Sequence, residues 1–140
     1  MLIIDANVWL AAFDPHDAFH GPSAAFLRTA ARLRLPLNAP VFALVEIGCA
    51  LSRRTRDATF ARGALGRVRA YPLLALTPVD ERLIATALEI GMRLALRGAD
   101  ALYAATAALT GATLISWDAE LSAQAGAMTP DAWLRASPQA

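Results

Sequence analysis

The sequence contains no lysine: all 13 basic residues are arginine, so chemistry that depends on a lysine amine is excluded. It has one cysteine, Cys49, which cannot form a disulfide within the chain, and its apolar neighbours predict a buried thiol. Charged residues make up only 18% of the chain and hydrophobic residues 56%, which excludes a disordered chain and predicts a substantial core. The length of 140 residues is usual for one domain, so we predict a single domain over residues 1–140.

Long hydrophobic runs are also missing. The uncharged stretch 101–117 contains three threonines, a glycine and a serine, and it is too polar and too broken to span a bilayer. The N-terminal segment lacks the basic start of a signal peptide and reaches Asp5 too early for one. We therefore expect a cytoplasmic protein without a membrane partner.

The formal net charge of +1 identifies no partner, but the charges are unevenly distributed. Residues 28–69 contain nine arginines and two acids, whereas the rest of the chain contains four arginines and ten acids. Such asymmetry is a weak indication of nucleic-acid binding. The alternative is that arginine simply solvates these helices.

Apolar runs separated by turn signals predict alternating strands and helices. Strands are predicted at 2–5, 37–39, 73–76 and 113–117, with an edge strand at 126–129. Helices are predicted at 6–13, 16–33, 41–54, 57–69, 79–96, 99–109, 118–124 and 130–136. This alternation favours an α/β fold in which helices cover both faces of a parallel sheet.

Four carboxylates flank apolar segments: Asp5, Glu46, Asp100 and Asp118. Asp5 and Asp118 follow predicted strands, and ligands of open parallel sheets bind beyond the carboxyl ends of the strands. Glu46 has apolar or small residues three and four positions away, and a lone buried carboxylate is costly. Clustered carboxylates repel one another without a cation, and oxygen ligands of this kind suit Mg²⁺ or Mn²⁺.

Each of these acids also has a purely structural explanation. Asp5 and Asp118 could be helix N-caps, and Asp100 could be stabilised at the start of a helix. Glu46 could form a buried ion pair with an arginine. Both explanations remain open at this point.

Four segments occur in a specific order and spacing: LIIDAN (2–7), APVFALVE (39–46), LRGADALYAA (96–105) and GATLISWD (111–118). In these segments the chain resembles PIN-domain nucleases, specifically the VapC-type toxin ribonucleases of bacterial toxin–antitoxin pairs. The resemblance covers nearly the whole chain. It implies a three-layer PIN-like α/β fold with a central parallel sheet of about five strands, helices on both faces and an acidic pocket at one end.

The resemblance implies that the family's acidic quartet falls on Asp5, Glu46, Asp100 and Asp118, as catalytic residues and as ligands of Mg²⁺, with Mn²⁺ possible. We expect Asp5 and Asp100 to bind the main ion directly. Glu46 and Asp118 are then expected to bind through water or to hold a second ion.

Other positions match more weakly. Asn7 and Ser116 correspond to polar positions near the first and last acids and are candidate supporting groups, although threonine is more usual where Ser116 stands. Arg53, Arg54 and Arg56 are interpreted as a solvated helix end that could also contact RNA or an antitoxin.

The function implied by the resemblance is that of a Mg²⁺-dependent endoribonuclease, the toxin of a type II toxin–antitoxin system. Its partners are then RNA, a cognate antitoxin and a second copy in a homodimer. The alternatives are a PIN-domain RNA-processing nuclease that is not a toxin and an inactive scaffold that binds RNA or a protein. A phosphohydrolase of the haloacid-dehalogenase kind is disfavoured, because it needs a second acid where Asn7 stands and a lysine that the chain lacks.

Overall fold

Four short parallel strands form the central sheet of the computed structural model, which describes residues 1–137. The strands are β1 (Leu2–Ile4), β2 (Leu37–Pro40), β3 (Leu74–Thr77) and β4 (Thr113–Ile115). Their order across the sheet is β3-β2-β1-β4, and every neighbouring pair is parallel. All residues of β1 and β2 are buried, as expected for strands that are covered on both faces.

Eight helices surround the sheet in the described part of the chain. They are α1 (Ala6–Phe13), α2 (His20–Arg32), α3 (Ala43–Thr55), α4 (Ala58–Arg69), α5 (Glu81–Leu94), α6 (Gly98–Thr110), α7 (Ala119–Ala125) and α8 (Pro130–Ala136). One large core cluster joins the strands to α1–α4, α6 and α7, and a smaller cluster joins α5 to α6. The predicted three-layer α/β fold class is therefore confirmed. Among residues 1–137, no helix has both the length and the apolar character needed to cross a membrane.

The strand count differs slightly from the predicted five. The segment predicted as an edge strand at 126–129 contributes only a single parallel bridge, between Ile115 and Met128. Gly126 ends α7 in a left-handed conformation (φ +68°), and Pro130 begins α8. Because Thr129 is already the N-cap of α8, only Ala127 and Met128 remain between the two helices, and the pairing is limited to that one bridge.

The topology brings distant parts of the sequence to one edge of the sheet. β1 and β4 are hydrogen-bonded neighbours, so the segments that follow them lie side by side at their carboxyl ends. The helix α3 begins three residues after β2, which places Glu46 in its first turn beside the same edge. Asp100 lies in the first turn of α6, a helix that packs against β1, β2 and β4.

Candidate active site

The carboxyl edge of the sheet opens into a cleft of about 440 Å³. The cleft is lined by Asp5, Ala6, Asn7, Leu10, Glu46, Cys49, Ala50, Arg53, Arg97, Ala99, Asp100 and Asp118. The structure therefore brings the four predicted acids together, although they come from four separate parts of the sequence.

Asp5 is the most deeply buried acid of the cleft, with 6% of its surface exposed. It is the N-cap of α1, where its Oδ1 accepts a long bond of 3.4 Å from the Asn7 backbone N–H. Its Oδ2 accepts hydrogen bonds from the Ser116 hydroxyl (2.6 Å) and the Asn7 side-chain amide (2.8 Å). Burial raises the pKa of Asp5 to about 6; the hydrogen bonds from Ser116 and the Asn7 backbone oppose the shift, and the charges of Glu46 and Asp100 add to it. The cap explanation is thus correct, and Asp5 lines the cleft as well.

Asn7 and Ser116 join the ends of β1 and β4. The fully buried Ser116 hydroxyl oxygen accepts from the Asp118 backbone N–H (2.9 Å) and from the Asn7 amide (3.0 Å), while its proton is donated to Asp5. The Asn7 Oδ1 accepts from the Trp117 backbone N–H (3.1 Å). This network fixes the orientation of the Asp5 carboxylate.

Glu46 is held by a residue that sequence reasoning missed. The Tyr103 hydroxyl donates a 2.5 Å hydrogen bond to Glu46 Oε2 and accepts one from the Ala6 backbone N–H (3.3 Å). Burial raises the pKa of Glu46, the Tyr103 bond opposes this, and the charge of Asp100 adds to it. Burial also raises the pKa of Tyr103, so its hydroxyl remains a donor. The available signal was its position three residues after Asp100, which places both on one face of α6.

The alternative explanation of Glu46, a buried ion pair with an arginine, is wrong. No arginine forms a salt bridge with Glu46 within residues 1–137. The alternative for Asp100 is confirmed in part: Asp100 lies in the first turn of α6, where the helix N-terminus favours a carboxylate, although the N-cap position itself belongs to Arg97.

Arg97 is the second residue that the sequence did not identify. Its Nε donates to Asp100 Oδ2 (2.7 Å) and its Nη2 donates to Asp118 Oδ2 (2.6 Å). Asp118 is also the N-cap of α7, where its Oδ1 accepts from the backbone N–H groups of Glu120 (2.8 Å) and Leu121 (2.9 Å). Burial acts to raise the pKa of Asp118, but these backbone bonds and Arg97 together lower it below its usual value.

The donor set of the cleft fits a hard divalent ion, although it is not already gathered around one. Within residues 1–137, no three His, Cys, Asp or Glu side chains are close enough to form a ready-made metal site. Oxygen atoms of Asp5, Glu46 and Asp100 nevertheless line one cleft, and carboxylate oxygens are the ligands that Mg²⁺ and Mn²⁺ prefer. Burial without a cation penalises the charges of Asp5 and Glu46, and a bound cation would remove that cost.

The three arginines at the end of α3 lie in different surroundings. Arg53 lines the acidic cleft and also an adjoining pocket that it shares with Arg56. Arg54 points elsewhere: its Nη1 lies 3.7 Å from carboxylate oxygens of both Asp14 and Asp17. Arg56 is the C-cap of α3 and has a left-handed backbone (φ +56°).

The prediction of a buried thiol is wrong. Cys49 is exposed and lines the cleft, because it lies one helical turn after Glu46 on the same face of α3. Its apolar neighbours in sequence belong to the opposite, buried face of that helix, which includes Ile47 and Leu51.

Comparison with known families identifies a domain that covers most of the chain. Residues 2–127 match the family model described as PIN domain. No curated protein matches the chain.

Several solved structures share the fold. One is VapC20 from Mycobacterium tuberculosis, described as a sarcin–ricin loop cleaving toxin, with a TM-score of 0.73 and 23% identity over 88% of this chain and 94% of that one. Another is PAE2754 from Pyrobaculum aerophilum, with a TM-score of 0.71 and 22% identity over 96% of this chain and 93% of that one. A third is VapBC2 from Rickettsia felis, solved bound to a DNA fragment from its promoter, with a TM-score of 0.71 and 14% identity over 91% and 96% of the two chains.

Proposed function

The chain belongs to the PIN-domain family, and we propose that it is a Mg²⁺-dependent endoribonuclease in which residues 1–140 form a single nuclease domain. The observation that carries the proposal is the convergence of Asp5, Glu46, Asp100 and Asp118 on one cleft at the carboxyl edge of the sheet.

Each group of the cleft has a role in this proposal. Asp5 and Asp100 hold the main ion, and Glu46 and Asp118 support it through water or hold a second ion. When bound, Mg²⁺ or Mn²⁺ supplies activation of the attacking water and neutralises charge at the phosphodiester. Ser116 hydrogen-bonds Asp5, and Tyr103 hydrogen-bonds Glu46, so that both carboxylates are oriented before the ion binds.

The test is cleavage of structured RNA by the purified protein. We expect products with 5′-phosphate and 3′-hydroxyl ends in Mg²⁺ or Mn²⁺, no products with a chelator, and none from Asp100→Asn. Asp131→Asn is the matched control, because Asp131 forms its ion pair with Arg135 in α8 and does not line the cleft. Intact RNA together with hydrolysis of a small phosphomonoester would favour a phosphohydrolase. RNA that is bound but never cut would favour the inactive scaffold.

We also propose that the protein is the toxin of a type II toxin–antitoxin system. Support comes from the fold it shares with VapC20, which is described as a toxin, and from the acidity of the cleft, which suits a basic side chain of an antitoxin. Expression alone should arrest growth, co-expression of the antitoxin should restore it, and Asp5→Asn should be harmless. Healthy growth with strongly expressed, RNA-cleaving protein would favour an RNA-processing enzyme instead.

A homodimer is the third part of the proposal. Ile84, Leu88 and Met92 recur every four residues along α5 and are 43%, 58% and 70% exposed. They border an apolar groove of about 410 Å³ between α5 and α6. The helix begins at an acidic pair, Asp80 and Glu81, and has Arg93 in its last turn. Two copies of α5 packed antiparallel would therefore bury the apolar stripe and place acidic ends against basic ends.

A further inference from the structure

Two arginines line the acidic cleft, Arg53 and Arg97, and the guanidinium of Arg97 is bound to its acids. It bridges two of the four carboxylates, with Nε 2.7 Å from Asp100 Oδ2 and Nη2 2.6 Å from Asp118 Oδ2. Glu120 Oε2 lies 3.8 Å from the same Nε. A planar, permanently charged guanidinium is well suited to bridge two carboxylates in this way.

The hydrogen bonds divide the cleft into two halves. In the first half, both oxygens of Asp118 are occupied: Oδ1 accepts two backbone N–H groups, from Glu120 and Leu121, and Oδ2 accepts from Arg97. A metal ion bound to Asp118 Oδ1 would have to replace the cap of α7, and one bound to Oδ2 would have to share that oxygen with the arginine.

The second half has oxygen atoms to spare. Glu46 accepts through Oε2 and Asp100 through Oδ2, and in the described part of the chain the other oxygen of each carboxylate accepts no hydrogen bond. Among the described residues, Asp5 Oδ1 accepts only the long 3.4 Å bond from the Asn7 backbone. Three carboxylate oxygens therefore remain for a cation, one each from Asp5, Glu46 and Asp100.

We propose that the guanidinium of Arg97 takes the place of a second metal ion in this cleft, so that each chain binds a single divalent ion at Asp5, Glu46 and Asp100. The inference rests on the proposed metal-dependent function and answers the question of whether Asp118 helps to hold a second ion. In two-metal sites the ions lie about 3.5–4 Å apart. A second ion at that spacing, shared by Asp100 and Asp118, would compete with the guanidinium for the same two carboxylates and would be repelled by its charge.

The test counts metal ions. Wild-type protein and Arg97→Gln are titrated with Mn²⁺ by calorimetry, and electron paramagnetic resonance (EPR) spectra are recorded at saturation. We expect one Mn²⁺ per wild-type chain with the spectrum of an isolated ion, and two per Arg97→Gln chain with the spectrum of a spin-coupled pair. Arg97→Gln should fold normally, because the Arg97 side chain is 65% exposed. Arg135→Gln is the matched control, since it removes an exposed arginine that pairs with Asp131 outside the cleft, and it should bind one ion.

The possible outcomes separate this inference from the proposed function. Two coupled ions in a wild-type protein that cleaves RNA would overturn the role of Arg97 and leave the ribonuclease intact. A single ion in both wild type and Arg97→Gln would also overturn it, because Arg97 would then not be what excludes the second ion. Absence of any bound ion from wild type would contradict the proposed function itself.

Discussion

At the residue scale, the charged form of the buried Asp5 carboxylate destabilises the metal-free fold. Its pKa is raised from 3.8 to about 6, chiefly by burial, so the folded protein holds this proton more tightly than the unfolded chain does. The stabilising contribution of the protonated group is fully present below about pH 4. It is lost as the pH rises through about 6, because the fold must then accommodate the charge.

The first prediction follows from this pH dependence. In the presence of a chelator at pH 8, Asp5→Asn should unfold at a higher urea concentration than wild type, because the neutral amide avoids the buried charge. One pKa unit corresponds to about 1.4 kcal/mol, so the gain is at most about 3 kcal/mol. It should shrink toward zero near pH 4. Urea melts at pH 4, 6 and 8 measure it, and a gain that does not change with pH would contradict the pKa argument.

The same variant tests whether Asp5 binds metal. At Mg²⁺ concentrations a hundred times the dissociation constant, wild type should gain about 2.7 kcal/mol of stability. Asp5→Asn should gain much less and should not cleave RNA. Thermal melts of both proteins with and without Mg²⁺ are sufficient. Equal gains in both proteins would show that Asp5 is not a ligand.

The second prediction concerns Tyr103, whose ring is 1% exposed and should keep its packing in Tyr103→Phe. The variant loses the hydroxyl that donates to Glu46, so Mn²⁺ affinity should fall by about tenfold or more, as is typical when a group that orients a ligand is removed. Tyr71→Phe is the control, because it removes a hydroxyl bonded to the Leu27 carbonyl outside the cleft. Calorimetry should show a loss of affinity only for Tyr103→Phe. Equal affinities in the two variants would argue against the role of Tyr103.

At the element scale, α3 serves two purposes. Its first turn presents Glu46 to the cleft, and its last turn and C-cap carry three arginines. Within residues 1–137, Arg54 is the only one of the three that forms an ion pair. Arg53, Arg54 and Arg56 are close together in the sequence, but their side chains have different surroundings in the structure.

The third prediction uses this separation. If Arg53 and Arg56 contact RNA phosphates, replacing either with alanine should reduce the slope of log affinity against log salt by about 1. Arg54→Ala should leave the slope unchanged, because this side chain is held by Asp14 and Asp17. The loss of such an exposed pair should cost about 1 kcal/mol of stability or less. Binding can be measured in the inactive Asp100→Asn background, and an effect of Arg54→Ala as large as the others would indicate ordinary surface charge.

The fourth prediction concerns α5. Leu88→Glu should convert the proposed dimer into a monomer, since it places a charge at the centre of the apolar stripe, where 58% of the leucine is exposed. Light scattering during size-exclusion chromatography measures the mass. Leu73→Glu is the control, because Leu73 is 47% exposed but precedes β3, away from the stripe. A wild-type monomer at high concentration, or a Leu88→Glu dimer, would contradict the proposed interface.

At the scale of the whole molecule, the parallel topology explains why the acidic residues meet. All four strands run in one direction, so every loop that follows a strand emerges at the same edge. The hydrogen bonds of Ser116 then connect the ends of β1 and β4 across more than a hundred residues of sequence. A site built in this way depends on the complete sheet, and mutations in the strands should affect the cleft as well as the stability.

The sequence by itself determined the strands, the helices and the residues placed at their ends. Apolar runs, proline and glycine act over a few residues, which is why β1, β2 and the caps at Asp5 and Asp118 could be predicted locally. A predicted edge strand was reduced to one bridge, because only Ala127 and Met128 lie between Gly126, which caps α7, and Thr129, which caps α8.

Only the tertiary structure decided which distant groups pair with one another. Tyr103 reaches Glu46 from a different helix, and Arg97 reaches Asp118 across the gap between α6 and α7. Cys49 is exposed because its face of α3 borders the cleft. Periodicity shows which side of a helix is apolar, but the partner of a polar group depends on how the helices and strands pack. In this protein that packing places the guanidinium of Arg97 between the carboxylates of Asp100 and Asp118.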